Sequence, residues 1–220
     1  MSILSAKGIK KFYDELMVLR SVDFEVKAAE IKAIVGPSGA GKSTLLHILG
    51  TLDQADGGEL SIQGQSIPSL STKELAHFRN KHIGFVFQFH NLLPEFTAEE
   101  NIAIPAYLAK RSEGDIKKRT TELLQLLGIA NRADHKPSQL SGGEQQRVAV
   151  ARALVNSPGI VFADEPSGNL DSKNAEELHQ LFVRLRDELG QAFVIVTHNE
   201  ELASLADQRF EMRDGALKLQ

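Results

Sequence analysis

The eight residues Gly36-Pro37-Ser38-Gly39-Ala40-Gly41-Lys42-Ser43 constrain this chain more than any other feature. They satisfy G-x-x-x-x-G-K-[ST] in full. The pattern also lies in the context it needs, after the apolar run Ile31–Val35 and before a helical run carrying Leu45, Leu46, Ile48 and Leu49. Glycines let the backbone wrap closely, so successive N–H groups point at phosphate oxygens. The helix N-terminus adds partial positive charge at the same place. Lys42 is expected to reach β- and γ-phosphates, and the Ser43 hydroxyl to ligate Mg²⁺. The expectation is a site for a nucleoside triphosphate.

Composition narrows the setting. A chain of 220 residues, 42% hydrophobic and 25% charged, suits one soluble domain with a real core. With no cysteine, disulfide scaffolds and thiolate chemistry are excluded. Twenty-five basic against 29 acidic residues give a net charge of -4, so no broad grip on nucleic acid is expected. No stretch approaches the ~18 apolar residues of a membrane helix. Met1-Ser2-Ile3-Leu4 has neither a basic start nor a long apolar run, so no signal peptide is expected. A cytosolic location follows, with any membrane role supplied through a partner.

Periodicity predicts an α/β fold. Residues 22–26 alternate as a half-buried strand should. Residues 60–67 read as a short hairpin closed near Gly64, and Asp214-Gly215 as a two-residue hairpin turn. Ile31–Val35, Ile83–Phe87 and residues 160–163 and 193–196 lack alternation, which predicts strands covered on both faces. Between them, residues 90–155 are predicted to form a helical lobe. There, Ser112 and Asp115 loosely form a capping box ahead of Ile116, Leu123, Leu124 and Leu127, and Gly128 follows as a C-terminal cap. A second helix is expected from Ser141 to about Asn156. A third, Ser172–Leu189, is expected to bury Ala175, Leu178, Phe182 and Leu185 before Gly190.

Two further motifs bear on chemistry. The strand at 160–163 runs into Asp164-Glu165, adjacent carboxylates that strand alternation sends in different directions. Asp164 can hold Mg²⁺ through water while Glu165 orients or deprotonates an attacking water. No Asn-Lys-x-Asp element for reading guanine occurs, which favours ATP over GTP. Leu140-Ser141-Gly142-Gly143-Glu144-Gln145-Gln146 admits two readings. It is a well-capped helix start, or it is a second anion site facing a γ-phosphate. One chain has no evident need of two such sites, whereas two chains packed head to tail would each close the other's pocket.

In this order the motifs resemble the ATP-binding-cassette (ABC) ATPases over nearly the whole chain. The resemblance implies a P-loop NTPase fold with a RecA-like core, an N-terminal antiparallel β subdomain and an inserted helical subdomain. A single domain over 1–220 is implied, with 1–89 and 156–220 forming the core and 90–155 the helical signature part. Nucleotide contacts are implied for residues 36–44 (Gly36, Pro37, Ser38, Gly39, Ala40, Gly41, Lys42, Ser43 and Thr44), for Tyr13 stacking on adenine, and for Ser141, Gly142 and Gly143. Asp171, in Asn169-Leu170-Asp171, falls in the loop that couples the two sites across the dimer. Ser43, Gln88 and Asp164 are implied at Mg²⁺, with Gln88 also linking to membrane partners. Glu165, His198 and Lys42 are the implied catalytic groups. A lone Gln after a strand or a lone surface His is most often solvated, and a lone Tyr most often packs, so it is their joint order that carries the assignment.

The implied function is ATP hydrolysis by a head-to-tail homodimer around two ATP, driving a separate integral membrane permease from the cytoplasmic face of a bacterial inner membrane. The apolar, Pro-bounded segment 88–97 reads either as packing for the lobe or as a groove for a coupling helix. At finer grain, Phe89-His90-Asn91-Leu92-Leu93-Pro94, residues 165–171 and Glu211-Met212-Arg213-Asp214-Gly215 resemble the lipoprotein-releasing group, beside the macrolide-exporter and cell-division groups that act as mechanical or regulatory motors. Ala28-Ala29-Glu30 departs from that pattern where glycine is common, and Asn199 where Asp is frequent.

Overall fold

The computed structural model describes residues 2–220. Strands β1 (Ser2–Tyr13) and β2 (Leu16–Lys27) form a long antiparallel hairpin, joined on the β1 side by β4 (Gly57–Ile62) and then β5 (Gln65–Ser66), in the order β2-β1-β4-β5. Val22, Phe24 and Val26 face inward while Asp23 and Glu25 face out, as the alternation predicts. The Gln63-Gly64 turn closes the β4–β5 hairpin at the expected place.

The second sheet has six strands in the order β10-β9-β3-β8-β7-β6. These are β3 (Ile31–Val35), β6 (Ile83–Phe87), β7 (Ile160–Asp164), β8 (Ala192–Val196), β9 (Gln208–Arg213) and β10 (Ala216–Leu219). All pair in parallel except β10, which returns through the Asp214-Gly215 turn. Both faces are buried, and the two-residue period divides their side chains. Val161, Ala163, Phe193 and Ile195 join one core, with the helices carrying Ile102, Leu123, Val148 and Phe182. Ile160, Phe162, Val194 and Val196 join the other, with Leu45, Ile48 and the N-terminal sheet. Phe162 and Phe193 are wholly buried, each supplying about 2–3 kcal/mol of transfer free energy.

The helices are α1 (Lys42–Leu49), α2 (Thr72–His82), α3 (Ala98–Leu108), α4 (Glu113–Leu126), α5 (Gly142–Leu154), α6 (Ser172–Leu189) and a short α7 (Glu200–Ser204). Capping boxes open α2 at Ser71–Glu74, α3 at Thr97–Glu100 and α5 at Ser141–Glu144. The expected helix at 141–156 is α5, and Ser172–Leu189 ends at Gly190 in the left-handed conformation. Helices α3, α4 and α5 occupy the stretch between β6 and β7. α5 reaches the sheet closely because β6 carries Gly84 there, where a Cβ would lie 2.6 Å from the Ala153 carbonyl oxygen.

The register places the site. Phe87 pairs with Asp164, Asp164 with Val196 and Val196 with Ile34, so β6, β7, β8 and β3 finish together at one sheet edge. The loops that leave those ends carry Gln88, Glu165, His198 and the glycine run, which is where open parallel sheets bind ligands.

Candidate functional site

The glycine run leaves β3 and turns straight into α1. Gly36, Gly39 and Gly41 have φ of 142°, 78° and 101°, which side-chain-bearing residues rarely adopt. At Gly36 a Cβ would also lie 2.2 Å from the Met212 carbonyl oxygen, so only glycine fits there. Lys42 Nζ folds over the loop and donates to the carbonyls of Gly36 and Pro37 at 2.8 and 2.9 Å. Ala40 packs inward instead. The result is a cleft of about 550 Å³ whose floor is Gly36, Ser38, Gly39, Gly41, Lys42, Ser43 and Thr44. Tyr13 and Val18 from the N-terminal sheet form one wall, and Gln88, Glu165, Val196 and His198 the other. Backbone donors, a helix N-terminus and an ammonium group converge as a polyphosphate requires.

At the carboxylate end, strand alternation sends the two acids apart. Asp164 lies with its Oδ1 accepting from Ser43 Oγ at 3.3 Å. Burial raises the Asp164 pKa above the ordinary carboxylate value, with the Glu165 charge adding to the rise, while the Ser43 hydrogen bond, His47 and Lys42 oppose it. Glu165 sits at φ 46°, in the left-handed region, its N–H donating to the Val196 carbonyl at 2.9 Å. Such a backbone costs a non-glycine residue about 1–3 kcal/mol, and here it turns the carboxylate toward His198. Glu165 Oε2 lies 2.9 Å from His198 Nδ1 and also accepts the His198 backbone N–H at 3.2 Å. A carboxylate fixed to an imidazole at the rim of a cleft floored by the glycine loop can orient and deprotonate water.

The hard oxygen donors fit a Mg²⁺ ion. Ser43 Oγ and the Asp164 carboxylate are adjacent, and Gln88 lines the same cleft, so hydroxyl, carboxylate and amide oxygens stand together as such an ion requires.

Gln88 also ties the cleft to another segment. Its Nε2 donates to Asn169 Oδ1 and its backbone carbonyl accepts from Asn169 Nδ2, both at 3.1 Å. Beyond it, segment 88–97 is held by two groups that the sequence reading did not single out. Arg152 of α5 donates to the carbonyls of His90 and Asn91 at 2.6 and 2.7 Å. Asn101 of α3, fully buried, accepts the Leu93 N–H at 2.8 Å and donates to the carbonyls of Leu93, Phe96 and Thr97. Leu92 packs into the core while Phe89, Leu93 and Phe96 remain exposed, so the segment is part packing and part outward apolar surface.

Tyr13 has a support with no motif behind it. Its hydroxyl donates to Asp53 Oδ2 at 2.8 Å, and Lys11 Nζ donates to Asp53 Oδ1 at 2.9 Å while standing 5.2 Å from the Tyr13 ring centroid. Asp53 lies 40 residues from Tyr13 in the chain, and only the fold brings them together.

Seven of the expected residues do not line this cleft: Pro37 and Ala40 belong to its loop, Asp164 stands behind Ser43, and the other four come from two helix starts. Ser141, Gly142 and Gly143 open α5, and Asp171 caps α6 by accepting the Asn174 N–H at 2.9 Å. They neighbour one another instead: a Cβ on Gly143 would meet Asn174 at 2.4 Å, and one on Gly142 would touch only Leu170. Ser141 is fixed by Glu144, whose carboxylate accepts the Ser141 N–H at 2.8 Å and takes Arg132 Nε at 2.6 Å. These contacts depress the Glu144 pKa to about 2, Arg132 being the chief cause.

Comparison with known proteins shows the family. A family model described as ABC transporter matches residues 19–168. The lipoprotein-releasing system ATP-binding protein LolD of Bacteroides thetaiotaomicron is 56% identical over 216 residues, covering 98% of this chain and 99% of its own. The protein of the same name from Cytophaga hutchinsonii is 58% identical over 215 residues, covering 98% of each. An ATP-binding cassette solved as a dimer in a post-hydrolysis state with ADP and Pi superposes with a TM-score of 0.88 at 39% identity, over 99% of this chain and 97% of the other. The chain therefore belongs to the ABC transporter family of ATPases, within the group of lipoprotein-releasing system ATP-binding proteins.

Proposed function

We propose that this ATPase powers a lipoprotein-releasing ABC system, working as a head-to-tail dimer that sandwiches two ATP and drives a separate membrane subunit. The single observation that carries the hydrolytic chemistry is the Glu165–His198 pair, 2.9 Å apart at the rim of the cleft floored by the glycine loop, while the lipoprotein-releasing role rests on the near full-length similarity to proteins of that name. Tyr13 stacks on adenine, the loop N–H groups and Lys42 hold the phosphates, and His198 stands by the γ-phosphate. Glu165 accepts a proton as the water oxygen bonds to the γ-phosphorus. The bond to the β-phosphate oxygen then breaks, leaving ADP and phosphate. Ser43, Asp164 and Gln88 would hold a Mg²⁺ ion, which would supply charge neutralisation to the phosphates.

Ser141, Gly142 and Gly143 complete the partner's pocket, which agrees with their place away from their own cleft and with the dimeric state of the related ADP-bound cassette. Bound ATP then favours the closed dimer and hydrolysis removes that preference. Exposed Phe89, Leu93 and Phe96 form the surface for the membrane subunit, and the Gln88–Asn169 pair couples it to the nucleotide. The chain thus works as a peripheral protein on the cytoplasmic face of the bacterial inner membrane. Among the described residues no helix is long and apolar enough to cross a membrane, as a peripheral role requires.

Glu165→Gln tests the chemistry. The expected result is ATP binding within about twofold of wild type and turnover reduced at least ~100-fold, within the usual worth of a general base. Near-normal turnover would refute the assignment.

A further inference from the structure

Helices α6 and α7 assemble a second set of ligating groups that the ATPase reaction does not use. His179, on α6, is 0% exposed. Its Nε2 lies 3.1 Å from Ser167 Oγ, while Nδ1 is buried with no hydrogen-bond partner. Glu176, a turn earlier, places Oε2 4.0 Å from Nδ1, and Gln180 holds the other carboxylate oxygen at 2.9 Å. Glu201 comes from α7. One ligand atom of each of Glu176, His179 and Glu201 lies within 4.8 Å of the others.

Neither tautomer of the imidazole satisfies this arrangement. With the proton on Nε2, donating to Ser167, the Nδ1 lone pair faces carboxylates. With the proton on Nδ1, the nearest Glu176 oxygen is too far for a hydrogen bond. Protonating both nitrogens is opposed by burial, which lowers the His179 pKa despite the pull of Glu176 and Glu201. A cation between the three groups resolves all of this.

We propose that Glu176, His179 and Glu201 bind a divalent transition-metal ion of the Zn²⁺ class, with water completing the coordination. A neutral imidazole with two carboxylates suits zinc better than Mg²⁺ or Ca²⁺, which prefer oxygen alone. Zinc ligands stand at about 2.0–2.2 Å, a distance reached by rotating the two exposed glutamate stems while His179 stays in place. Metal at Nδ1 leaves Nε2–H to donate to Ser167, the outer hydrogen bond that metal-binding histidines commonly make. Ser167 lies two residues beyond Glu165 and Glu201 three beyond His198, so a bound ion braces the two segments that carry the Glu165–His198 pair.

Calorimetric titration of the full chain with Zn²⁺, in excess Mg²⁺ and without nucleotide, tests the site. One saturable equivalent is expected, together with a rise in Tm. The double variant Glu176→Gln/Glu201→Gln, altered only at exposed side chains, is expected to weaken that equivalent at least tenfold. His179→Phe, which fills the buried position without a ligating nitrogen, is expected to remove it. Unchanged affinity in the double variant would overturn the proposal, as would the absence of binding below millimolar Zn²⁺. Loss of the equivalent in Glu165→Gln instead would put the ion in the nucleotide cleft and overturn it equally.

Discussion

The phosphate cleft and the Ser141–Asp171 region are both built from glycine turns and helix N-termini, but they stand differently toward their chemistry. In the cleft, Tyr13, the loop, Gln88, Asp164, Glu165 and His198 come from five separate stretches and meet within one chain, at the common end of four parallel strands. The other region is equally well formed. Ser141 carries a complete capping box and Asp171 caps α6, yet neither lines the cleft. Gly142 is exposed, and a Cβ there would make only an ordinary contact with Leu170 at 3.6 Å. The first is a whole nucleotide floor, and the second, in the proposed dimer, is a half-site completed by a second copy.

Substitutions in the two regions are expected to separate binding from turnover. Lys42→Ala removes the ammonium from the cleft and is expected to raise the Kd for ATP about 100-fold or more, read by equilibrium titration of a fluorescent ATP analogue. Gly142→Asp fits sterically in the single chain but sets a carboxylate where a partner's γ-phosphate approaches. ATP affinity of the isolated chain is expected to stay within about twofold, while steady-state hydrolysis falls about 100-fold, the scale of losing preorganised anion stabilisation. Gly142→Asp weakening ATP binding as much as Lys42→Ala would erase the distinction.

Asp53→Ala sharpens the description of the cleft itself. It frees the Tyr13 hydroxyl and leaves the Lys11 ammonium with only the Gln54 carbonyl. The KM for ATP is expected to rise roughly tenfold, about 1.4 kcal/mol, with kcat nearly unchanged. Asp53→Asn, which still accepts from Tyr13, is expected to recover most of it. A fall in kcat without a change in KM would show that Asp53 does something other than position the ring.

The smallest effect belongs to the half-site's cap. Glu144 has a folded pKa of about 2, below its unfolded value near 4.5. Its contribution is therefore fully present above pH 4.5 and is lost as pH falls toward 2. Glu144→Gln is expected to flatten the dependence of Tm on pH below 4.5 and to leave its slope unchanged above 5, as scanning calorimetry would read.

Most of the sheet and the cleft could be read from sequence because their signals are local: an apolar run, a glycine pattern, two adjacent acids. Other parts could not, each for a physical reason. In β1 the buried set runs Leu4, Ala6, then Ile9 and Lys11, because a register shift at Gly8 breaks the alternation. α2 buries no residue, so apolar periodicity is silent, and only its Ser71–Glu74 capping box could have marked it. Asp53 and Arg152 act through pairs of hydrogen bonds to distant residues, and Asn101 through several bonds to the loop just before its helix, none of which leaves a pattern in the chain. The departure at Ala29 also acquires a reason for its rarity: φ there is 54°, the region glycine favours, at a cost of about 1–2 kcal/mol for alanine.

That the half-site serves a second copy is tested most directly by the solution mass of Glu165→Gln. Light scattering is expected to give the mass of one chain without nucleotide and of two chains with Mg²⁺ and ATP, and Gly142→Asp in the same background is expected to keep the chain single. A Glu165→Gln chain that binds ATP and remains a monomer at every concentration tested would contradict the shared-site account.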